Sequence, residues 1–119
     1  MNNETKLQNA ILLALSNAGH LVWRMETAGA WVGRIMHQEG NMVTLANARM
    51  IQAGLIKGGS DIIGIHRPSG RFIAIEVKTP TGRPTPEQLR FIDNVRAAGG
   101  IAGIARSVQD ALDLVCADS

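Results

Sequence analysis

Residues 59–78, with the sequence GSDIIGIHRPSGRFIAIEVK, contain the pattern that decides the fold. Two apolar runs, Ile62–Ile65 and Phe72–Val77, flank a turn at Pro68-Ser69-Gly70. Proline sets the first corner of such a turn, and glycine can take a positive φ at its end. Because both faces of the two runs carry apolar residues, we expect them to be central strands of a sheet that is covered on both sides.

Capping residues and helical periodicity predict three helices around this hairpin. The first begins at the N-cap candidates Asn2 and Asn3 and ends before Gly19. The second opens with a capping box, Thr85-Pro86-Glu87-Gln88, and ends at Gly99-Gly100. The third opens at Ser107.

The remaining strands are expected on either side of the hairpin, at His20–Met25, Trp31–Gln38, Met42–Leu45 and Ile101–Ala105, with a turn at Gly40-Asn41. The stretch Ala46–Gly54 fits either a short helix or irregular structure. The element order is therefore α-β-β-β-β-β-α-β-α, which indicates a mixed α/β domain.

The composition suits one globular domain that spans residues 1–119. Apolar residues make up 45% of the chain, but no apolar run is long enough to span a membrane. Aromatic residues are only 3%, which argues against a single-strand binder that stacks bases. The net charge of +2 permits an anionic partner without requiring one. A single cysteine, Cys116, and the absence of a signal-peptide pattern predict a reducing, cytoplasmic setting.

Two ionisable residues, Glu76 and Lys78, lie two positions apart on the second run, so both point to the same face of a strand. Such groups are costly on a buried strand unless they pair or bind something. A two-residue loop in the hairpin would place Asp61 opposite Glu76, whereas a three-residue loop with a glycine bulge would place it opposite Val77. Either register puts two carboxylates on neighbouring strands, where directly opposed Cβ atoms lie roughly 5 Å apart.

Two carboxylates at that spacing can share one hard divalent cation. Mg²⁺ prefers oxygen ligands, keeps several waters and takes the rest of its shell from substrate phosphate. The predicted ligands are Asp61, Glu76 and the backbone carbonyl of Val77. Lys78 would orient or deprotonate an attacking water and offset charge on a phosphate. The alternative interpretation is an exposed ion pair between Glu76 and Lys78 on an edge strand.

Two further polar residues are candidates for the same site. Gln88 lies in the first turn of the second predicted helix, where it can hold a water or a phosphate oxygen, or act as an ordinary capping residue. Glu4 in the first helix can reach over the site to hold a second ion, or only match the helix dipole. The three histidines have no ligand spacing, and we interpret them as surface or strand residues (His20, His37 and His66).

These residues resemble the PD-(D/E)XK nuclease superfamily and, more closely, its VRR-NUC family. The motifs that match are Glu4 in the first helix, Gly59-Ser60-Asp61, Glu76-Val77-Lys78, and Gln88 with Phe91 on the next helix. Ser60 stands where the family usually has proline. In the strand that matches the family's Val-Arg-Arg segment, Arg106 keeps the basic character and Ser107 replaces the second arginine. The resemblance covers nearly the whole chain and implies a restriction-endonuclease-like mixed β-sheet flanked by helices.

For activity, the resemblance implies hydrolysis of DNA phosphodiester bonds that depends on Mg²⁺ or Mn²⁺. For small stand-alone members of phage and bacterial type, it implies homodimers that cut branched DNA such as four-way (Holliday) junctions. A two-fold dimer fits paired cuts on a two-fold junction. The region Trp31–Leu45 is a candidate dimer surface, or else a sheet extension that covers the core.

Other functions remain open at this point. The chain has no separate domain for reading bases, which argues against a sequence-specific enzyme. It can be a less selective nuclease of a restriction-like system, a non-catalytic DNA-binding or assembly module on the same fold, or a structural domain. Six basic residues can contact phosphate, although each alone is more simply a solvated surface residue: Arg24, Arg34, Arg49, Lys57, Arg67 and Arg83.

Overall fold

The structure is a computed structural model that describes residues 2–25, 28–53 and 59–116, but not the side chains of 28–33 and 47–53. Its elements in chain order are α1 (Asn3–Asn17), β1 (Leu21–Arg24), β2 (Ala28–Glu39), β3 (Met42–Ala53), β4 (Ile62–Ile65), β5 (Phe72–Val77), α2 (Pro86–Ala97), β6 (Ile101–Ala105) and α3 (Val108–Cys116). This order confirms the predicted mixed α/β fold. The chain forms two compact units, one of Met1–Met25 with Ile56–Ser119 and one of Glu26–Leu55.

The first unit is built on a four-stranded sheet in the order β1-β4-β5-β6. β4 pairs antiparallel with both β1 and β5, whereas β5 and β6 are parallel. Parallel neighbours need a crossover connection, and α2 provides it between β5 and β6. The prediction that β4 and β5 are the central strands is therefore confirmed.

The two faces of this sheet are covered by different helices. Ile75 of β5 is buried in a cluster with Ile11 of α1 and with residues of α3. The preceding residue, Ala74, belongs to a second cluster with Ile92 of α2. Because neighbouring residues of a strand point to opposite faces, Glu76 shares the face of Ala74 and points toward α2.

The predicted helix boundaries have the expected capping contacts. The side chain of Asn2 accepts a hydrogen bond from the Thr5 amide at 2.7 Å, and Gly19 follows α1 with a φ of 101°. α2 begins at Thr85, which forms a complete capping box with Gln88. These contacts satisfy amide groups that have no partner within the helix.

The second unit contains a long hairpin of β2 and β3, which pair antiparallel from Ala28↔Ala53 to Glu39↔Met42. The turn at Gly40 has a φ of 59°, as the Gly-Asn signal predicts. Both interpretations of residues 46–53, a short helix and irregular structure, are wrong, because their backbone pairs with β2 as part of β3. Gly54 lies outside the described residues.

His66 is buried rather than a surface residue, and it connects three segments of the first unit. Its Nε2 donates to the carbonyl oxygen of Val115 at 3.1 Å, and its Nδ1 lies 2.6 Å from the Ser69 hydroxyl. The His66 ring also stacks on His20 with 4.6 Å between ring centroids. Nδ1 of His20 accepts a hydrogen bond from the Arg67 amide at 3.1 Å, so the end of α1 lies beside the β4–β5 turn.

No helix in the described part of the chain is long and apolar enough to cross a membrane.

Candidate active site

The register of β4 and β5 decides where the two carboxylates lie. Ile62 pairs with Ile75, so Asp61, one residue before β4, faces Glu76. This is the register that a two-residue loop would give, one of the two alternatives that the sequence left open, but the loop itself is longer. The His66 amide donates to the Arg71 carbonyl at 2.8 Å, so residues 67–70 form the turn. The Asp61 carbonyl accepts from the Met25 amide at 2.8 Å, which fixes its backbone beside β1.

The Asp61 carboxylate is fixed by the backbone of β5. Its Oδ2 accepts a hydrogen bond from the Val77 amide at 2.9 Å. The N–H and C=O of one strand residue point to the same side of the strand, so the Val77 carbonyl also faces the Asp61 side of β5. The Val77 side chain is fully buried on the α1 face, which leaves its peptide group as the part that borders the carboxylates.

Glu76 is a buried carboxyl group whose two oxygens have different surroundings. The residue is only 2% exposed. Its Oε1 accepts from Nε2 of Gln88 at 2.9 Å, whereas Oε2 is buried and has no hydrogen-bond partner in the part of the chain that the structure describes. A buried oxygen of this kind is destabilising unless a proton or a cation satisfies it.

The electrostatics of the pair favour a proton on Glu76. Burial, followed by the charge and hydrogen bonding of Asp61, raises the pKa of Glu76 from its ordinary 4.5 to about 8, and Lys78 opposes this shift. Two carboxyl groups in contact cannot both be ionised at low cost. A pKa of about 8 favours the protonated form of Glu76 at neutral pH when no metal is bound.

Lys78 lies directly beside the carboxylates. Its Nζ is 3.6 Å from Oε1 of Glu76, and its side chain is 16% exposed. The Lys78 amide donates to the carbonyl oxygen of Ala105 at 3.1 Å, which continues the β5–β6 pairing by one residue. The ammonium group is thus close to the acids but still accessible from solvent.

Gln88 is both a capping residue and a neighbour of the carboxylates. Its amide N–H donates to Thr85 Oγ1 at 3.1 Å, and its side-chain oxygen accepts from the Thr85 amide at 2.9 Å. The side-chain nitrogen donates to Glu76. The capping interpretation is confirmed, and the same side chain fixes the orientation of Glu76; contact with a water or a phosphate stays a prediction.

Glu4 lies in the first turn of α1. The other end of α1 lies at the β4–β5 turn, and a helix of 15 residues is about 22 Å long, so Glu4 is at the Asp61 end of the sheet. Within residues 2–25, 28–53 and 59–116, no three His, Cys, Asp or Glu side chains are arranged to hold a metal ion. The structure thus brings together Asp61 and Glu76 but does not add Glu4 to them, and its role at a second ion stays a prediction.

The structure describes only some of the basic residues that were predicted to contact phosphate. Arg34, Arg67 and Arg83 are exposed, and Arg24 contacts Asn9 of α1. The side chain of Arg49 and the whole of Lys57, with the neighbouring Gly58, lie outside the described residues.

Sequence reasoning named Arg106 only as the basic residue that stands where the resembling family has a Val-Arg-Arg segment, and did not place it beside the site. Arg106 directly follows β6, and its Nη1 donates to the carbonyl oxygens of Thr79 and Gly82 in the turn after Lys78. A signal was available, because a residue that follows β6 must lie beside the end of its parallel neighbour β5.

Comparison with protein families and with known proteins gives two findings. The VRR-NUC domain matches residues 3–109, a range that contains every residue described above around the two carboxylates. Among the curated proteins, none matches the chain. A match of this extent, together with the juxtaposed Asp61, Glu76 and Lys78, leads to the conclusion that the chain belongs to the VRR-NUC family and is a nuclease.

Proposed function

We propose that this nuclease is a Mg²⁺-dependent DNA endonuclease that hydrolyses phosphodiester bonds at Asp61, Glu76 and Lys78. One observation carries the proposal: Glu76 is buried beside the Asp61 carboxyl group, and its Oε2 has no hydrogen-bond donor among the described residues. A structural domain gains nothing from such a pair, since the two groups repel each other when ionised.

The donor set fits a hard divalent cation. Asp61, Glu76 and the Val77 carbonyl would hold it, since all three supply oxygen and lie at the end of β5. Mg²⁺, or Mn²⁺ in its place, would supply a polarised water and neutralise phosphate charge when bound. Glu4 remains our candidate for a second ion.

The other residues have roles that follow from their contacts. Lys78 carries a positive charge beside the carboxylates, where it would stabilise negative charge on a phosphate and orient or deprotonate the attacking water. Gln88 keeps Oε1 of Glu76 in place by its hydrogen bond, and the N-terminus of α2 favours an anion nearby.

We further propose a homodimer that acts on branched DNA such as four-way junctions. The β2–β3 hairpin supports the dimer, because a two-stranded sheet is marginally stable alone and this one exposes large apolar side chains. They are Ile35, Met36, Met42 and Val43, with 60%, 58%, 75% and 48% of their surface exposed. A two-fold dimer presents two sites to a two-fold junction.

Cleavage assays on labelled DNA test this function. Wild type should cut in Mg²⁺ or Mn²⁺ but not in EDTA, and Lys78→Ala should lower the rate by about 10²–10³-fold, the range for loss of one electrostatic contact to the transition state. Lys6→Ala, which removes an exposed lysine of α1, is the matched control. Cleavage rates on four-way junction, flap, single-stranded and linear duplex DNA then show which DNA structure is preferred.

The outcomes separate the alternatives. Absence of cleavage by folded wild type in both metals would overturn the enzyme and leave a DNA-binding or assembly module. Equal rates on all four substrates would keep the nuclease but remove the preference for branched DNA. Sedimentation of Ile35→Glu against Arg34→Glu tests the dimer, since only the first change disrupts an apolar contact.

A further inference from the structure

The turn that follows Lys78 is bound by a single arginine. Nη1 of Arg106 donates to the carbonyl oxygens of Thr79 at 2.6 Å and of Gly82 at 2.7 Å. The turn also has its own hydrogen bond, from the Gly82 amide to the Thr79 carbonyl at 3.1 Å. Hydrogen bonds from an ionised donor are about twice as strong as neutral ones, so Arg106 is the main restraint on this turn.

Arg106 is itself attached to the rigid part of the first unit. It follows β6, whose last residue, Ala105, is fully buried and accepts from the Lys78 amide. The Arg106 amide donates to Oδ2 of Asp110 at 2.9 Å, and the Asp110 amide donates to the Ser107 hydroxyl at 3.0 Å. The guanidinium group therefore projects from the junction of β6 and α3.

The turn lies beside the side chain of Lys78. A Cβ atom added to Gly82 would lie 3.6 Å from Cδ of Lys78 and 3.2 Å from the Thr79 hydroxyl, which is ordinary or tight packing. Gly82 therefore borders the aliphatic part of Lys78. Lysine has a flexible four-carbon stem, and restriction of that stem determines how often its ammonium group is beside the carboxylates.

From these contacts we infer that Arg106 is a positioning residue for Lys78. Arg106 acts on Lys78 by fixing the turn Thr79–Gly82. The effect on catalysis rests on the proposed function, whereas the effect on the Lys78 side chain does not. Arg106 donates to backbone carbonyls through Nη1 rather than to Glu76 or Asp61. Its loss should change the geometry of Lys78 and leave the two carboxylates in place.

The first arm of the test observes Lys78 directly in the metal-free protein. The chain has three lysines, Lys6, Lys57 and Lys78, so labelling with [¹³Cε]lysine gives three ε-methylene signals, and Lys78→Arg assigns one of them. In Arg106→Gln, we expect the Lys78 signal to move at least halfway toward the position of free lysine. Arg96→Gln is the matched control, because Arg96 also donates to a carbonyl, that of Ala102 at 2.8 Å, away from the turn.

The second arm measures cleavage kinetics. Arg106→Gln should lower kcat by about 10- to 100-fold with KM for DNA unchanged, since a shift of about 1 Å in a catalytic group has effects of this size. Arg106→Lys should recover part of the loss, because one ammonium can reach a carbonyl. If Arg106→Gln does not fold, both measurements are made on Arg106→Lys, with Arg96→Lys as the control. We then expect a smaller movement of the Lys78 signal and a smaller loss of kcat.

An unchanged Lys78 signal in folded Arg106→Gln would overturn the inference. A raised KM with a weaker salt dependence would also overturn it, because that result identifies a phosphate contact. If wild type cuts no DNA, the proposed function fails, but the lysine signal still decides whether Arg106 positions Lys78.

Discussion

Replacement of Glu76 by glutamine should stabilise the metal-free protein, and the gain should depend on pH. Glutamine has the shape of a protonated glutamate, so its oxygen can still accept from Gln88. Its NH₂ group can donate to Asp61, as a protonated Glu76 would. The substitution removes the repulsion between two carboxylates without creating a cavity.

The size of the gain follows from the pKa of Glu76. The pKa rises from 4.5 in the unfolded chain to about 8 in the folded protein, and the residue is only 2% exposed, so little solvent screening applies. Each pKa unit corresponds to about 1.4 kcal/mol, so at pH 7 the folded state of wild type is destabilised by about 3 kcal/mol relative to glutamine. Below pH 4.5, Glu76 is protonated in both the folded and the unfolded state, so its raised pKa does not destabilise wild type. Wild type then loses stability as the pH rises from 4.5 toward 8, because only the unfolded state releases the proton readily. The gain should therefore be near zero at pH 4 and about 5 kcal/mol above pH 8.

Urea unfolding in EDTA at pH 4, 5.5, 7 and 8 measures this gain. Asp93→Asn, which changes an exposed acid on α2, is the control and should show no comparable trend. Addition of Mg²⁺ should reduce the difference between Glu76→Gln and wild type, since only wild type keeps both carboxylates for the ion. A gain that does not change with pH, or a variant less stable than wild type at pH 7, would refute the assigned proton.

Three further predictions concern the framework around the site. Gly64→Ala should destabilise the first unit by about 3 kcal/mol in thermal unfolding, because a Cβ would overlap the carbonyl oxygen of Leu21; an unchanged Tm contradicts this. Thr85→Ala should cost about 1 kcal/mol in urea unfolding by loss of the cap, and Thr85→Ser should restore it. Burial and the charge of His66 lower the pKa of His20, so wild type should lose stability as the pH falls below about 6.5, where the unfolded chain takes the proton first. His20→Gln should lose less between pH 7.5 and 5, and parallel Tm curves would contradict the shift.

The sequence determines the main elements of the site better than their relative position. The hairpin of β4 and β5 and the shared face of Glu76 and Lys78 follow from apolar runs and from the two-residue period of a strand. Whether Asp61 faces Glu76 or Val77 depends on the backbone conformation of the turn, for which Gly70 suits either alternative. The structure decides between them through the pairing of Ile62 with Ile75.

Other features could not be predicted because distant segments produce them. Residues 46–53 have no clear period, and they are a strand because β2 pairs with them. His66 can be buried because its Nε2 donates to the Val115 carbonyl of α3, which is 49 residues away in the chain. Local propensity contains no information on such partners, so a lone histidine after a strand is read as a surface residue.

All the groups of the site depend on the backbone at one end of β5. The Val77 amide fixes Asp61, the pairing of Lys78 with Ala105 fixes the register to β6, and that register brings Arg106 to the next turn. A shift of β5 by one residue would turn Glu76 to the α1 face and remove every one of these contacts together. The apolar residues that alternate with Glu76 prevent this shift, because it would expose them to the polar end of α2. The buried cluster on the α1 face therefore helps to fix the geometry of the carboxylates, in addition to their own hydrogen bonds.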